Sequence, residues 1–247
     1  MPIKLKRVLF YSILTFFILL NVYLLVLAKN PLLFDPALKV KQTQHFNIYY
    51  KKDSPAQCDI EQLSRLLESY YKETTDLFEI SLNNKIDYFF HDKQIIHARR
   101  GIPIWGYATS VSVHSVYRDS MKDSSPHELC HFIQGMVNPN APYFFNEGIC
   151  GYQIQIGGEG FNEKIRRIHP DLDQFSLPVL VDDFQRYGRL GDFLAYSFNA
   201  FLVDAYGKEK LPVFYKRVTK DNWKSLMLEI FLESYEQIER DWKEFLL

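Results

Sequence analysis

The chain has 247 residues, and 29 Lys and Arg against 30 Asp and Glu leave a net charge of −1, so nothing in its electrostatics selects nucleic acid as a partner. At 47% hydrophobic and 24% charged residues, without internal repeats or low-complexity tracts, the composition is that of a globular protein and excludes a fibrous or disordered one. The first feature in chain order is Val8 to Ala28, a stretch with no formal charge. A helix over it, rising about 1.5 Å per residue, measures about 32 Å, enough to cross a bilayer core. Lys4, Lys6 and Arg7 precede it, and the positive-inside bias then predicts a cytoplasmic 1–7, a transmembrane signal anchor over 8–28, a linker over 29–44 and a domain over 45–247 outside the cytoplasm. In a bacterial host that domain would face the periplasm or the cell exterior. The rival reading is a cleavable signal peptide ending at Val26-Leu27-Ala28; the apolar run is long for one, which favours the uncleaved anchor.

Within the domain, Phe46, Ile48 and Tyr50 alternate as a strand. Leu63, Leu66, Leu67, Tyr70, Tyr71, Thr74, Leu77 and Phe78 keep helical spacing, and Ile86, Tyr88 and Phe90 alternate again. Ala108 to Tyr117 is the next predicted strand, with Val111, Val113 and His114 toward a cleft. From about Phe161 onward the chain reads as helices, including Leu226, Ile230, Phe231, Ile238, Trp242 and Phe245 on one stripe. Strands with one helix, followed by helices, predict an α+β fold.

Between those halves lies His127-Glu128-Leu129-Cys130-His131. Positions four apart share a helix face, so both imidazoles can reach one metal ion while Glu128 stands beside it. A catalytic zinc takes three protein ligands and keeps a place for water, so one further ligand is wanted. Glu147 is the candidate: Asn138 to Pro142 breaks the chain, and a second helix starting there would bring the carboxylate back.

The HELCH pentad, followed by an aromatic pair running into Asn146-Glu147-Gly148, resembles the HExxH and downstream Glu of gluzincin metallopeptidases, in particular peptidase MA-like domains. Ser197 to Lys210 is similar to the family's helix after the metal site, Glu233 to Leu246 to its closing helix, and His45 to Tyr50 to its opening strand. The resemblance implies a two-lobed domain, a strand and helix lobe over 45–137 and a helical lobe over 138–247. It also implies Zn²⁺ held by His127, His131 and Glu147, Glu128 as general base, a peptide or protein substrate laid along a sheet edge, and a Tyr or His from the helical half as oxyanion donor. Tyr196 is the preferred donor and Tyr187 the alternative. With the apolar N-terminus, the expectation is a bilayer-anchored zinc metallopeptidase.

Other readings stay open. Ser125 and Glu128 form a capping-box pattern with Pro126 at the first helical position, so Glu128 has a structural role available. A catalytically silent binding or scaffold protein is the alternative function, and an accidental motif on an interaction domain is a third. Gly151 stands four residues after Glu147, where some gluzincins carry an Asp that orients a ligand His; Asp182, Asp183 or a backbone carbonyl would have to supply that contact. Cys130 and Cys150 are either a disulfide or two small buried hydrophobes, with Cys58 as the odd cysteine. His45, His91, His97, His114 and His169 have no partner at ligand spacing; His114 alone is a candidate for the substrate groove.

Overall fold

The computed structural model describes residues 15–18, 20–21, 37–96, 103–119, 127–155 and 175–246. A five-stranded sheet carries the first half. Its strands are β1 (Leu38–Gln42), β2 (Phe46–Lys51), β3 (Ile86–His91), β6 (Gly106–Ala108) and β7 (Ser112–Val116), in the order β1-β2-β3-β7-β6. The three central strands run parallel, and β1 and β6 close the edges antiparallel. A separate small hairpin pairs β4 (Ile95–Ile96) with β5 (Pro103–Ile104).

Alternation decides which face of the sheet is covered. Phe46 and Ile48 of β2 and Tyr88 and Phe90 of β3 are buried, as the sequence predicts. They share one buried cluster with Leu63, Leu67 and Tyr71 of α2 (Ile60–Phe78), which follows the single turn α1 (Pro55–Cys58). Beyond the sheet the described chain is helical: α3 (His127–Val137), α4 (Tyr143–Gln155), α5 (Leu177–Asp182), a 3₁₀ turn (Phe184–Tyr187), α6 (Arg189–Tyr206), α7 (Lys210–Tyr215), α8 (Trp223–Phe231) and α9 (Tyr235–Leu246). Most of the buried apolar residues, from Phe46 to Leu246, form one continuous cluster; Phe89 and Val116 lie outside it. Trp242 of α9 ends in that cluster, its indole N–H donating to Ser197 Oγ at 3.1 Å.

The sheet corrects the strand expected over 108–117. The chain turns back at Thr109, whose backbone N–H donates to Ser112 O at 2.8 Å, so β6 takes the edge and β7 lies inside between β3 and β6. His114 is consequently 4% exposed and faces no cleft.

The arrangement of a two-lobed domain behind one membrane-spanning helix is corrected to a mixed α+β fold. Among the described residues no helix is long and apolar enough to cross a membrane. A span takes about 20 consecutive apolar residues; of the 8–28 stretch only 15–18 and 20–21 are described, as helix, and the remainder lies outside the described residues. The longest described helices cannot substitute. Helix α2 carries Glu61, Arg65, Glu68, Lys72, Glu73 and Asp76, and α6 carries Arg189, Asp192 and Asp204. The single-pass placement with the domain outside the cytoplasm, which rested on that helix, is withdrawn with it. The start of helical structure near Phe161, the Ser125-Pro126 cap, His97 and His169 also lie outside the described residues.

Candidate metal centre

Asn138 makes the turn between α3 and α4 rigid. Its side-chain N–H₂ donates to Tyr215 O at 3.0 Å and Val218 O at 2.7 Å, and its Oδ1 accepts from the backbone N–H of Asn140 at 3.1 Å. Buried and fully engaged, this amide fixes where α3 ends and sends the chain back at Pro142, whose carbonyl accepts the Asn146 N–H at 3.0 Å. The returning helix α4 then lies against α3, and Cys130 and Cys150 join them in a disulfide with Cα atoms 5.3 Å apart. Cys58 is free and exposed.

The two helices bring three donor atoms together. His127 Nε2 and His131 Nε2 are 2.8 Å apart, and Glu147 Oε2 lies 3.2 Å from the first and 3.4 Å from the second. Ligands about 2.0–2.1 Å from a tetrahedral ion stand about 3.3 Å from one another, so this triangle is near the size an ion of that radius imposes. One ligand atom from each of the three residues lies within 4.8 Å of the other two, and the group could hold a metal ion.

The orientation of His131 strengthens the fit. Asn146 Oδ1 lies 3.0 Å from His131 Nδ1, and a carbonyl oxygen only accepts, so the proton sits on Nδ1 and Nε2 turns a lone pair toward His127. Two imidazole nitrogens that close repel unless a cation or a proton stands between them. Without a metal, burial disfavours charge on His131, but the Glu147 carboxylate outweighs it and raises the ring to about 9. Burial likewise opposes the Glu147 charge, and the His131 and His127 rings hold the carboxyl well below the usual carboxylate range. A divalent ion at the triangle would replace that proton.

Glu128 leaves the first turn of α3 toward β6. A Cβ on Gly106 would fall 2.6 Å from Glu128 Cγ and 2.9 Å from its Oε1, so the glycine makes the room in which the carboxylate packs. Burial pushes the Glu128 carboxyl up, while His127 and His131 pull it down. Tyr196 reaches the site from α6, its ring centroid 6.3 Å from that of His127. Burial, then the charges of Glu147, Asp192 and Glu128, push its hydroxyl far above the ordinary range, so it stays a proton donor. Tyr187 packs on Phe175 instead, at 5.5 Å between centroids.

Several contributors were not evident from the sequence. Asn146, next to Glu147, does for His131 what Asp182 and Asp183 were considered for; those two line a pocket with Tyr143, Phe184 and Lys220. His127 Nδ1 is buried with no partner among the described residues. Asp192, one turn before Tyr196 on the same face of α6, feels Glu147, His127 and His131, and burial with the Glu147 charge raises it to about 6. The signal for Asp192 was the four-residue spacing from Tyr196; for Gly106 there was none.

No family model matches the chain, and no curated protein does. Among solved structures it is similar to a functionally unknown conserved protein from Bacillus anthracis str. Ames, at 10% identity and a TM-score of 0.46, over 88% of this chain and 53% of that one. The chain thus spans about half the length of that protein.

Proposed function

We propose that this protein is a zinc-dependent metallopeptidase of gluzincin type, which hydrolyses peptide bonds with Glu128 as general base. The observation that carries the reading is the convergence of His127 Nε2, His131 Nε2 and Glu147 Oε2 into a triangle with sides of 2.8, 3.2 and 3.4 Å. Two imidazoles and one carboxylate suit zinc among the common divalent ions, and three protein ligands leave a position for water. A zinc ion bound there would lower the pKa of that water toward neutrality and polarise the scissile carbonyl.

The remaining work falls to the chain. Glu128 takes the proton of the attacking water and passes it to the leaving amine, a task suited to a carboxyl whose pKa burial raises. The Tyr196 hydroxyl, held protonated, donates a hydrogen bond to the carbonyl oxygen as it gains charge. Asn146 keeps the His131 lone pair aimed at the ion. The edge strand β6, directly above Glu128, offers backbone groups to an extended peptide.

The test is zinc content and peptidase activity of the full chain beside its His131→Ala, Glu147→Ala and Glu128→Gln variants. One zinc per chain, lost in the first two and kept in the third, with hydrolysis of a mixed peptide substrate abolished in all three, is the expected result. No zinc after reconstitution would overturn the reading. Zinc without hydrolysis would make the protein a silent binding relative.

A further inference from the structure

We infer that the Cys130–Cys150 disulfide is a positioning element of the metal centre, so that the disulfide and the bound metal stabilise each other. The inference rests on the zinc reading of the preceding subsection. Its basis is where the bridge falls: Cys130 directly precedes His131 and stands three residues after His127, and Cys150 stands three residues after Glu147 and four after Asn146. Each end of the cross-link is therefore within one helical turn of a ligand, and each ligand-bearing helix contributes one sulfur. The turn pinned by Asn138 joins α3 and α4 at one place, and the disulfide joins them at a second.

The surroundings leave little slack. Cys130 and Cys150 are 2% and 0% exposed, packed in the main core cluster with Leu129, Ile133, Phe145 and Ile149. Opening the bridge to two thiols forces the sulfurs apart to the about 3.5–4.0 Å of non-bonded atoms, within a buried core where close packing resists the movement. The displacement passes into the helices. Metal–ligand distances tolerate only about 0.2 Å, so a shift that is small for the fold is large for the centre.

Coupling of this kind is reciprocal: whatever factor the disulfide adds to metal affinity, the metal adds to the disulfide's resistance to reduction. Both directions can be read. A water-soluble phosphine reduces the bridge by taking one oxygen from water to become the phosphine oxide, leaving two thiols and no competing chelator. Zinc affinity is measured by chelator competition on the oxidised full chain, on the phosphine-reduced chain and on the Cys130→Ser/Cys150→Ser variant, with metal-free unfolding followed in parallel. The expected result is a 10–100-fold loss of affinity in the reduced and variant forms while both remain folded. In a glutathione redox buffer with free zinc fixed by a chelator, the equilibrium constant for reduction should move by the same factor when zinc is present.

Equal affinities in the three forms would overturn the inference and leave the zinc reading standing. So would tighter binding on reduction, which would mean that thiolates join the ligand set. Unfolding of both sulfur-reduced forms would also overturn it, since the bridge would then serve the fold alone. Absence of zinc from the oxidised chain would remove the metal reading, and this inference with it.

Discussion

The ring of Tyr196 fills the space that a side chain at position 151 would need: a Cβ on Gly151 would fall 1.9 Å from two of its ring carbons. Gly151 lies one turn beyond Glu147 on the same face of α4, so the missing side chain is what lets α6 lay a tyrosine beside the ligand triangle. Gly148 does the same one turn earlier, where a Cβ would fall 2.0 Å from Asn199 Nδ2. Position 151 thus holds no carboxylate: the Tyr196 ring occupies that room, and Asn146 Oδ1 faces His131 Nδ1.

Gly151→Ala should accordingly displace Tyr196 without touching a ligand. Inserting a methyl into a close-packed contact costs about 1–3 kcal/mol. The expected outcome is a lower thermal midpoint, unchanged zinc content, and a fall in kcat that Tyr196→Phe reproduces. Loss of one oxyanion donor lowers kcat by about 10²–10³-fold. Full kcat in Tyr196→Phe would remove the tyrosine from the chemistry.

Gly106 offers the matching test on the other wall. Alanine there places a Cβ 2.6 Å from Glu128 Cγ and 2.8 Å from the His114 carbonyl, so the Glu128 side chain must move and the β6–β7 pairing must give with it. Gly106→Ala should therefore lower kcat toward that of Glu128→Gln and leave zinc affinity within a few-fold. An equal loss of zinc would show that β6 supports the ligand helix rather than the base.

What could be read in the sequence follows from how local each signal is. The pair His127 and His131 is one helical turn, and the Asn138 to Pro142 break is a cluster of residues that end helices, so both were predictable. Glu147 needed only the inference that the chain turns back. The orientation of His131 depends on which neighbour happens to face it across two helices, and spacing does not encode that. His114 was expected in a groove because strand alternation names a face but not what covers it; here Phe89 and Tyr107 stack on the ring from the neighbouring strands, at 4.7 and 4.5 Å between centroids. The apolar N-terminal stretch shows the converse limit: hydropathy alone predicted a spanning helix, and among the described residues no helix is long and apolar enough to be one.

Proton release should accompany metal binding. In the metal-free centre His131 is raised to about 9 by Glu147, so at pH 7 the ring carries a proton that a metal must displace. Titration calorimetry in buffers of different ionisation enthalpy should find at least about one proton released per zinc at pH 7, the His131 proton together with whatever the metal-bound water gives up. For the metal-free chain the sign runs the other way. A pKa raised from 6.5 to about 9 contributes stability in full below 6.5, and that stability is lost as pH rises through 9. Zinc uptake without proton release would contradict the His131–Glu147 ion pair.

His114 contributes on the acid side. Its Nδ1 lies 3.0 Å from His91 Nε2 and its Nε2 2.9 Å from Ser112 Oγ, and burial, then the His91 charge, lower the ring to about 4. The unfolded chain takes up a proton near 6.5 that the fold refuses until about 4, so the contribution is complete above 6.5 and is lost as pH falls from 6.5 to 4. Asp192 works in the opposite sense: raised from 3.8 to about 6, it favours the fold below 3.8 and loses that contribution as pH rises through 6. The raw profile therefore mixes the slopes of these and other shifted groups, among them His91, Glu68 and Glu147, and the informative quantity is the difference between the parent and His114→Gln. With a chelator present, denaturant unfolding should show the parent losing stability relative to the variant as pH falls between 6.5 and 4, and the two running parallel above 6.5. Parallel curves throughout would mean that the ring accepts its proton inside the fold, and that the stack on Phe89 and Tyr107 does not exclude the charge.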